Sequence, residues 1–221
     1  MHKLIPTSQF CGAKPLPRLT RYAERGFTLV EVLVSIVILS FGMLGMVGVQ
    51  AFAMQSNREA RLQSQATNLA RELAEMMRGN NQIGIQEVAA NNPYLLTATS
   101  PLTPATFNAC LGVANTSTGC STALNVAKAE MTDWLARLDN QLSGARVAIC
   151  FDSKPYDAKG LPQWNCTAGT DAIAVVKIGW TRNSTDRSKT GSSVLERASD
   201  TNSRPGILFP VTSGNPLGTP P

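Results

Sequence analysis

The longest apolar stretch of the chain lies near its amino end. From Val32 to Asn57 the chain has 26 consecutive residues without a charged side chain. About 20 apolar residues are enough for a helix to cross the hydrocarbon core of a bilayer. We therefore predict that residues 27–54 form a membrane-spanning helix.

A narrower apolar pattern follows this stretch. Apolar residues recur at every third or fourth position, which is the spacing of one helix face: Leu62, Ala66, Leu69, Leu73 and Met76. The Gly79-Asn80-Asn81 sequence that follows is typical of a helix end. The long helix is thus predicted over residues 27–78, with its second half packed on a folded head formed by residues 79–221.

The head contains a second helical pattern and two patterns of alternating residues. Apolar residues at helical spacing predict a helix within residues 121–144, with Ser121 or Thr122 as its capping residue. At residues 145–151 and 172–181 the period changes to two, which predicts antiparallel strands.

These elements define the predicted fold class. Val147, Ile149 and Phe151 share one face of the first strand, and a third strand is predicted at 193–198 or 206–211. The predicted fold class is α+β: a long N-terminal membrane-spanning helix packed on a small antiparallel sheet with an additional helix.

Two segments of the head lack a regular pattern. Residues 80–120 are rich in Asn, Thr, Ser, Ala and Pro, and we predict a loop there. The tail from Ser213 is rich in Gly and Pro and is predicted to be flexible.

The net charge of +5 is concentrated at the amino end. Residues 1–26 contain five basic side chains and one acidic one, a charge of +4; the remainder contains 15 basic and 14 acidic ones, a charge of +1. Basic residues that flank a span mark its cytoplasmic side, so we predict a cytoplasmic leader and a periplasmic head. Once the leader is removed, no concentrated basic surface is left for phosphates, and we predict no nucleic-acid partner.

Four cysteines follow the span: Cys110, Cys120, Cys150 and Cys166. They can pair in three ways, and we prefer the local pairs 110–120 and 150–166 because each flanks a short turn-rich loop. Disulfides fit an oxidising periplasm. The alternative is a four-cysteine zinc site, although the chain has no CxxC pair of the usual zinc spacing.

Little in the sequence points to catalysis. The only histidine is His2, so the chain beyond the leader has no Ser-His-Asp triad and no His-rich metal site. Two pairs of carboxylates are conceivable as catalytic pairs, Asp152 with Asp157 and Asp186 with Asp200, and we interpret all four as solvated loop charges. We predict no enzyme, cofactor or metal.

Three glycines, Gly42, Gly45 and Gly48, lie inside the apolar stretch. Each costs about 1 kcal/mol of helix propensity relative to alanine. They allow close approach of neighbouring helices, or they mark a stretch that loosens when the helix leaves lipid. Simple tolerance of glycine in a membrane helix is the third interpretation.

The start of the apolar stretch has an unusual order of residues. Gly26-Phe27 precedes the apolar core, whereas a secretory signal has its cleavage site after that core. One acid, Glu31, lies near the start of the predicted span 27–54, where a charge costs on the order of 3 kcal/mol unless it has a partner. A new amino terminus at Phe27 would supply that partner. An ordinary signal anchor with a stray glutamate is the alternative.

These residues, GFTLVEVLVSIVIL, resemble the type IV prepilin motif. The resemblance implies that the predicted α+β fold is type IV pilin-like. The resemblance implies that a prepilin peptidase cuts between Gly26 and Phe27 and methylates the amino group of Phe27. It also implies that Glu31 neutralises the amino terminus of a neighbouring subunit in a filament. Type IV pilins commonly have a helix-breaking proline near Gly48, and this sequence has none.

Residues 25–80 resemble the minor pilin family PilV, the type IV pilus modification proteins. The resemblance implies a function in starting pilus assembly and in the tip complex. The implied partners are the major pilin, other minor pilins and a tip adhesin, and the implied location is the inner membrane and then the pilus fibre. A pseudopilin of a type II secretion system and a membrane-tethered ligand-binding module are the alternatives.

Overall fold

The computed structural model describes residues 26–102, 110, 120–184, 186 and 188–212. The predicted leader, apart from Gly26, and the predicted tail from Ser213 lie outside these residues. The chain divides into two units, Met1–Gln50 and Ala51–Pro221.

A long helix, α1 (Leu29–Gly79), occupies the described part of the first unit and continues into the second. Its limits differ from the predicted 27–78 by one or two residues. Thr28 caps its start, because the backbone N–H of Glu31 donates to the Thr28 Oγ1 at 3.2 Å. The hydroxyls of Ser35 and Ser40 donate to carbonyl oxygens one turn earlier, each at 2.7 Å. Both hydroxyls are therefore satisfied within the helix, as an apolar environment requires.

In the second unit, one face of α1 is buried in the core. The buried side chains follow helical spacing: Ala66, Leu69, Ala70, Leu73, Ala74 and Met77. The predicted stripe is confirmed in position, since it contains Ala66, Leu69 and Leu73, while Leu62 and Met76 are partly buried against the same core.

The prediction of a loop over residues 80–120 was wrong at two places, where the structure has a short helix and a short strand. A helix, α2 (Asn81–Gly84), follows α1 directly, and a strand, β1 (Leu96–Thr99), follows it. Gly84 lies so close to α1 that a Cβ there would be 2.5 Å from the carbonyl oxygen of Met77. Both elements depend on contacts with distant residues, which the local composition of the segment does not show.

The second long helix, α3 (Ala123–Gln141), matches the prediction, and Thr122 caps it by accepting the N–H of Asn125 at 3.2 Å. Trp134 and Arg137 of α3 form side-chain hydrogen bonds to α1. The buried Trp134 donates its indole N–H to the Leu69 carbonyl oxygen at 2.9 Å. Near the surface, the guanidinium of Arg137 forms two hydrogen bonds of 2.8 and 2.6 Å to the Glu72 carboxylate.

The main sheet is antiparallel and four-stranded, in the order β1-β2-β3-β6. Its other strands are β2 (Arg146–Asp152), β3 (Ile173–Gly179) and β6 (Ile207–Val211). In β2 and β3, Val147 lies opposite Ile178 and Ile149 opposite Val176. These residues belong to the same core cluster as the buried faces of α1 and α3, so the predicted inward face is confirmed.

The other face of the sheet contains a buried ion pair, which corrects the interpretation of Asp152 as a solvated loop charge. Asp152 is the last residue of β2, and its carboxylate lies against the ammonium of Lys177 in β3. The side chains of both residues are fully buried. Asp152 also accepts backbone N–H groups of Lys154 and Thr167, at 2.9 and 3.0 Å. The segment between β2 and β3 thus folds back over this face and excludes water from the pair.

A separate two-stranded ribbon consists of β4 (Arg182–Asn183) and β5 (Leu195–Glu196). A 3₁₀ turn, Gly191–Val194, precedes β5. Of the two positions predicted for a third strand, 206–211 is confirmed as part of the main sheet, and 193–198 contributes only the short β5.

Candidate processing and assembly site

The residues just before α1 leave the predicted cleavage point accessible. Gly26, Phe27 and Thr28 are exposed and precede the first helical residue. The side chain of Phe27 is 81% exposed, and a Cβ added at Gly26 would meet no atom within 4 Å. Exposed, non-helical backbone is where peptidases most readily act, so the geometry at Gly26–Phe27 is compatible with cleavage.

The Glu31 carboxylate lies in the first turn of α1, where the helix dipole favours a negative charge. Its backbone N–H is used by the Thr28 cap. Among the described residues, no hydrogen bond or ion pair reaches its carboxylate oxygens. Within the described residues, the carboxylate therefore has no counter-charge.

The side chains that follow Glu31 form an apolar surface around the whole helix. None of the large apolar residues between Phe27 and Met54 is buried by the chain itself. Within the described part of the chain, α1 is the one helix long and apolar enough to cross a membrane. A helix that is apolar on all sides is stable only when lipid or other helices cover it.

The three glycines of the span lie in continuous helix. A Cβ at Gly42, Gly45 or Gly48 would meet nothing within 4 Å, and α1 is unbroken across all three. Contacts within the chain thus do not require glycine at these positions. Close approach by another helix and loosening outside lipid are still the two interpretations of these glycines.

The four cysteines of the head form two disulfide bonds. Cys110 is bonded to Cys120, and Cys150 is bonded to Cys166, which is the pairing preferred from the sequence. Asp152 lies next to the second bond. Because both sulfurs there are bonded to each other, they are not thiolate ligands for a metal ion.

The acids considered as catalytic pairs have separate partners. Asp157 accepts the N–H groups of Leu161 and Lys159 and pairs with Arg204, and these contacts hold the pKa of its carboxyl below the ordinary value. Asp186 accepts the hydroxyl and the backbone N–H of Ser188, which lower its pKa. Among the described residues, no hydrogen bond joins one of the four acids to another.

Sequence analysis missed Lys177 because the alternation of β3 assigns it to the face away from the core, where a lysine is ordinary. One signal was present: Lys177 is the only charged residue in the run from Ala172 to Trp180. A single charge inside an apolar strand indicates a buried partner when both faces of the sheet are covered.

Comparison with known proteins assigns the amino-terminal region. Residues 21–47 match the family described as the prokaryotic N-terminal methylation motif. No curated protein matches the chain, and no solved structure matches it. The matched residues include the predicted cleavage point, Glu31 and the start of α1. The match supports a type IV pilin-like protein, which implies processing by a prepilin peptidase, membrane anchoring and assembly with other pilins.

Proposed function

We propose that this chain is a minor pilin of a type IV pilus and acts in starting pilus assembly and in the tip complex. The observation that carries the proposal is the methylation motif, which includes the start of a helix whose apolar surface the chain itself leaves uncovered. Such a helix needs lipid before assembly and neighbouring helices afterwards. The likeness of residues 25–80 to PilV supports the minor pilin assignment.

In this proposal, the prepilin peptidase removes residues 1–26 and methylates the new amino terminus at Phe27. Residues 27–54 then hold the subunit in the inner membrane, and the head lies in the periplasm. The concentration of basic residues in the leader supports this orientation. The two disulfides support it as well, because such bonds persist in oxidising compartments.

Glu31 gives the assembly step its specificity. As the helix moves from the membrane into a bundle of similar helices, its carboxylate enters apolar surroundings in which an unpaired charge is costly. The amino group of Phe27 on a neighbouring subunit neutralises it, and only one axial register brings the two groups together. Apolar packing supplies cohesion, and the charge pair selects the register.

A pseudopilin of a type II secretion system is the second candidate, because the methylation motif supports it equally. The two functions differ in the assembly that contains the protein. Co-isolation with the major pilin and other minor pilins from sheared surface fibres supports the pilus. Co-isolation with secretin-linked secretion components, and not with surface fibres, supports the pseudopilin.

Mass analysis of the protein from membranes and from fibres tests the processing step. We expect a polypeptide that begins at N-methylated Phe27. A Gly26→Leu variant is expected to retain residues 1–26 and to be missing from fibres, because a Cβ at that position meets no atom of the described residues within 4 Å and the effect is therefore expected on the peptidase. Fibres that contain the uncleaved wild-type chain would refute the proposal.

A further inference from the structure

A groove of about 710 Å³ lies in the second unit, between α1 and the ribbon of β4 and β5. Its α1 wall extends from Phe52 to Leu62, and the opposite wall comes from Ser143, residues 181–184 and Leu195. Pockets that bind small ligands commonly enclose about 300–1,000 Å³. The groove is thus large enough for a group of that size.

The α1 wall of the groove begins where the apolar stretch ends. Phe52 lies within the predicted span, and Met54 is the last residue of that span. A helix rises about 1.5 Å per residue, so Arg58 and Glu59 lie about 6–8 Å beyond Met54. The headgroup layer occupies about 5–8 Å on each side of the hydrocarbon core. With residues 27–54 anchored in the membrane, as in the proposed function, these two charges lie at the depth of the lipid headgroups.

Both walls of the groove have an exposed apolar side chain. Phe52 on α1 is 63% exposed, and Leu195 on the opposite wall is 44% exposed. Single exposed apolar side chains are ordinary on a protein surface. Here, however, the two line one groove at the end of a membrane span, together with polar and charged residues. This mixture suits the boundary between lipid headgroups and acyl chains, where apolar and polar groups meet.

The groove has one unpaired charge of each sign. Its second cation, Arg182, is already paired with Glu196 at 3.2 Å. Among the described residues, no hydrogen bond or ion pair reaches the Arg58 guanidinium or the Glu59 carboxylate, so these two groups do not neutralise each other. With Glu196 counted, the groove is neutral. It therefore favours neither a simple anion nor a simple cation, and it suits a ligand that carries both charges.

We propose that this groove holds the headgroup of a phospholipid that carries a phosphate and a primary ammonium, as phosphatidylethanolamine does. Arg58 donates charge-assisted hydrogen bonds to the phosphate. The ammonium donates to Glu59 Oε2, because Oε1 is buried. The acyl chains pass Phe52 and Leu195 into the hydrocarbon core. A choline headgroup has no N–H to donate and binds more weakly. The lipid stays in the membrane when the subunit enters a fibre, so fibre entry does not depend on it.

Competition between two lipids for the full-length protein extracted from membranes tests the proposal. Phosphatidylethanolamine and phosphatidylcholine with the same acyl chains are supplied together in detergent micelles, and the first lipid bound is identified by native mass spectrometry. We expect phosphatidylethanolamine to be bound at least fivefold more often. In Glu59→Gln this ratio should fall to near one, because the ammonium loses its carboxylate. In Arg58→Gln the binding of both lipids should fall at least fivefold, because both carry the phosphate.

The matched controls are Arg71→Gln and Glu87→Gln, which each remove one exposed charge outside the groove lining. Both should bind the two lipids as the wild type does. Equal binding of the two lipids by the wild type would overturn the proposal, as would a Glu59→Gln variant that keeps the preference. Soluble phosphoethanolamine that displaces the lipid at equal concentration would overturn the assignment to a membrane lipid.

The same preparation separates this proposal from the proposed function on which it rests. Protein that is recovered from membranes and begins at Phe27 but shows no lipid preference would overturn the lipid site alone. Protein that is absent from membranes would overturn the proposed anchoring, and the lipid site with it.

Discussion

The Lys177 ammonium nitrogen lies 2.5 Å from Asp152 Oδ2, and the side chains of both residues are fully buried. Lys177 also donates to the backbone carbonyl oxygen of Asn165 at 2.7 Å. The carboxylate in turn accepts N–H groups at either end of the segment between β2 and β3. One ion pair thus connects two strands of the sheet and the segment that covers them.

Removal of the lysine should be strongly destabilising. Lys177→Met leaves the Asp152 carboxylate buried without its counter-charge, and a broken buried pair typically costs about 3–5 kcal/mol. We expect a fall of this size in the free energy of unfolding, measured by denaturant titration with the near-UV signal of the tryptophans. Lys159→Met is the control, because Lys159 is exposed, and it should lie within about 0.5 kcal/mol of the wild type.

A double variant separates the charge from the packing. Lys177→Met with Asp152→Leu replaces the pair by apolar groups, which is often nearly neutral. The backbone N–H groups of Lys154 and Thr167 lose their acceptor, however, so we expect only partial recovery. A single Lys177→Met variant that loses less than about 1 kcal/mol would contradict this account of the pair.

The same pair predicts sensitivity to acid. Burial, the largest influence on Asp152, would raise its pKa, but the hydrogen bond from Lys177 and those from the Thr167 and Lys154 N–H groups outweigh it and leave the pKa below the ordinary 3.8. Because the pKa is lower in the folded state, the stabilisation is fully present above the unfolded value and is lost as the pH falls through the folded one.

We therefore expect the unfolding free energy to fall between about pH 5 and pH 2. The fall should be smaller in Asp152→Asn, which has no carboxyl to protonate, than in the wild type. Asp186→Asn is the control: the pKa of Asp186 is also lowered, but this residue is exposed, and solvent screens its contribution. A wild-type profile that stays level through this range would contradict the prediction.

The elements with a repeating pattern were predictable from the sequence, and those held by distant contacts were not. The apolar stripe of α1 and the alternation of residues in β2 and β3 arise because one face of each element is buried. This burial produces a periodic pattern of apolar residues that is visible in the sequence. β1 consists of Leu-Thr-Ala-Thr and is recognisable only through its pairing with β2. The partner of Lys177 is 25 positions away in the chain, beyond the reach of any periodicity.

The candidate processing site was predictable for the same reason. The motif from Gly26 to Glu31 is contiguous, so residue types and spacing identify it without a structure. The pairing of charges in the head is different: Arg182 and Arg197 look equivalent in the sequence, yet the first binds Glu196 and the second has no such partner among the described residues.

The two contacts between α1 and α3 should differ in strength. Trp134→Phe removes a buried hydrogen bond and leaves the Leu69 carbonyl with one donor fewer, so we expect a loss of about 1–3 kcal/mol in unfolding free energy. Arg137→Ala removes the partly exposed pair with Glu72, and such pairs are worth about 0–1 kcal/mol. Parallel denaturant titrations measure both, and a larger loss for Arg137→Ala would refute the ranking.

Glu31 should be needed for assembly and not for membrane insertion. Glu31→Val removes the charge, which makes the span more apolar, so the variant should be found in membranes in wild-type amounts. Without the carboxylate, a neighbouring amino terminus has no counter-charge in an apolar bundle. We expect the amount of this protein in sheared fibres, relative to that in membranes, to fall at least tenfold.

Glu31→Gln keeps the size of the side chain and should fail similarly, which assigns the effect to charge. Glu59→Gln, in the same helix but beyond the span, is the control and should enter fibres normally. Normal incorporation of Glu31→Gln would show that the carboxylate charge does not set the register, and helix packing alone would then have to do so.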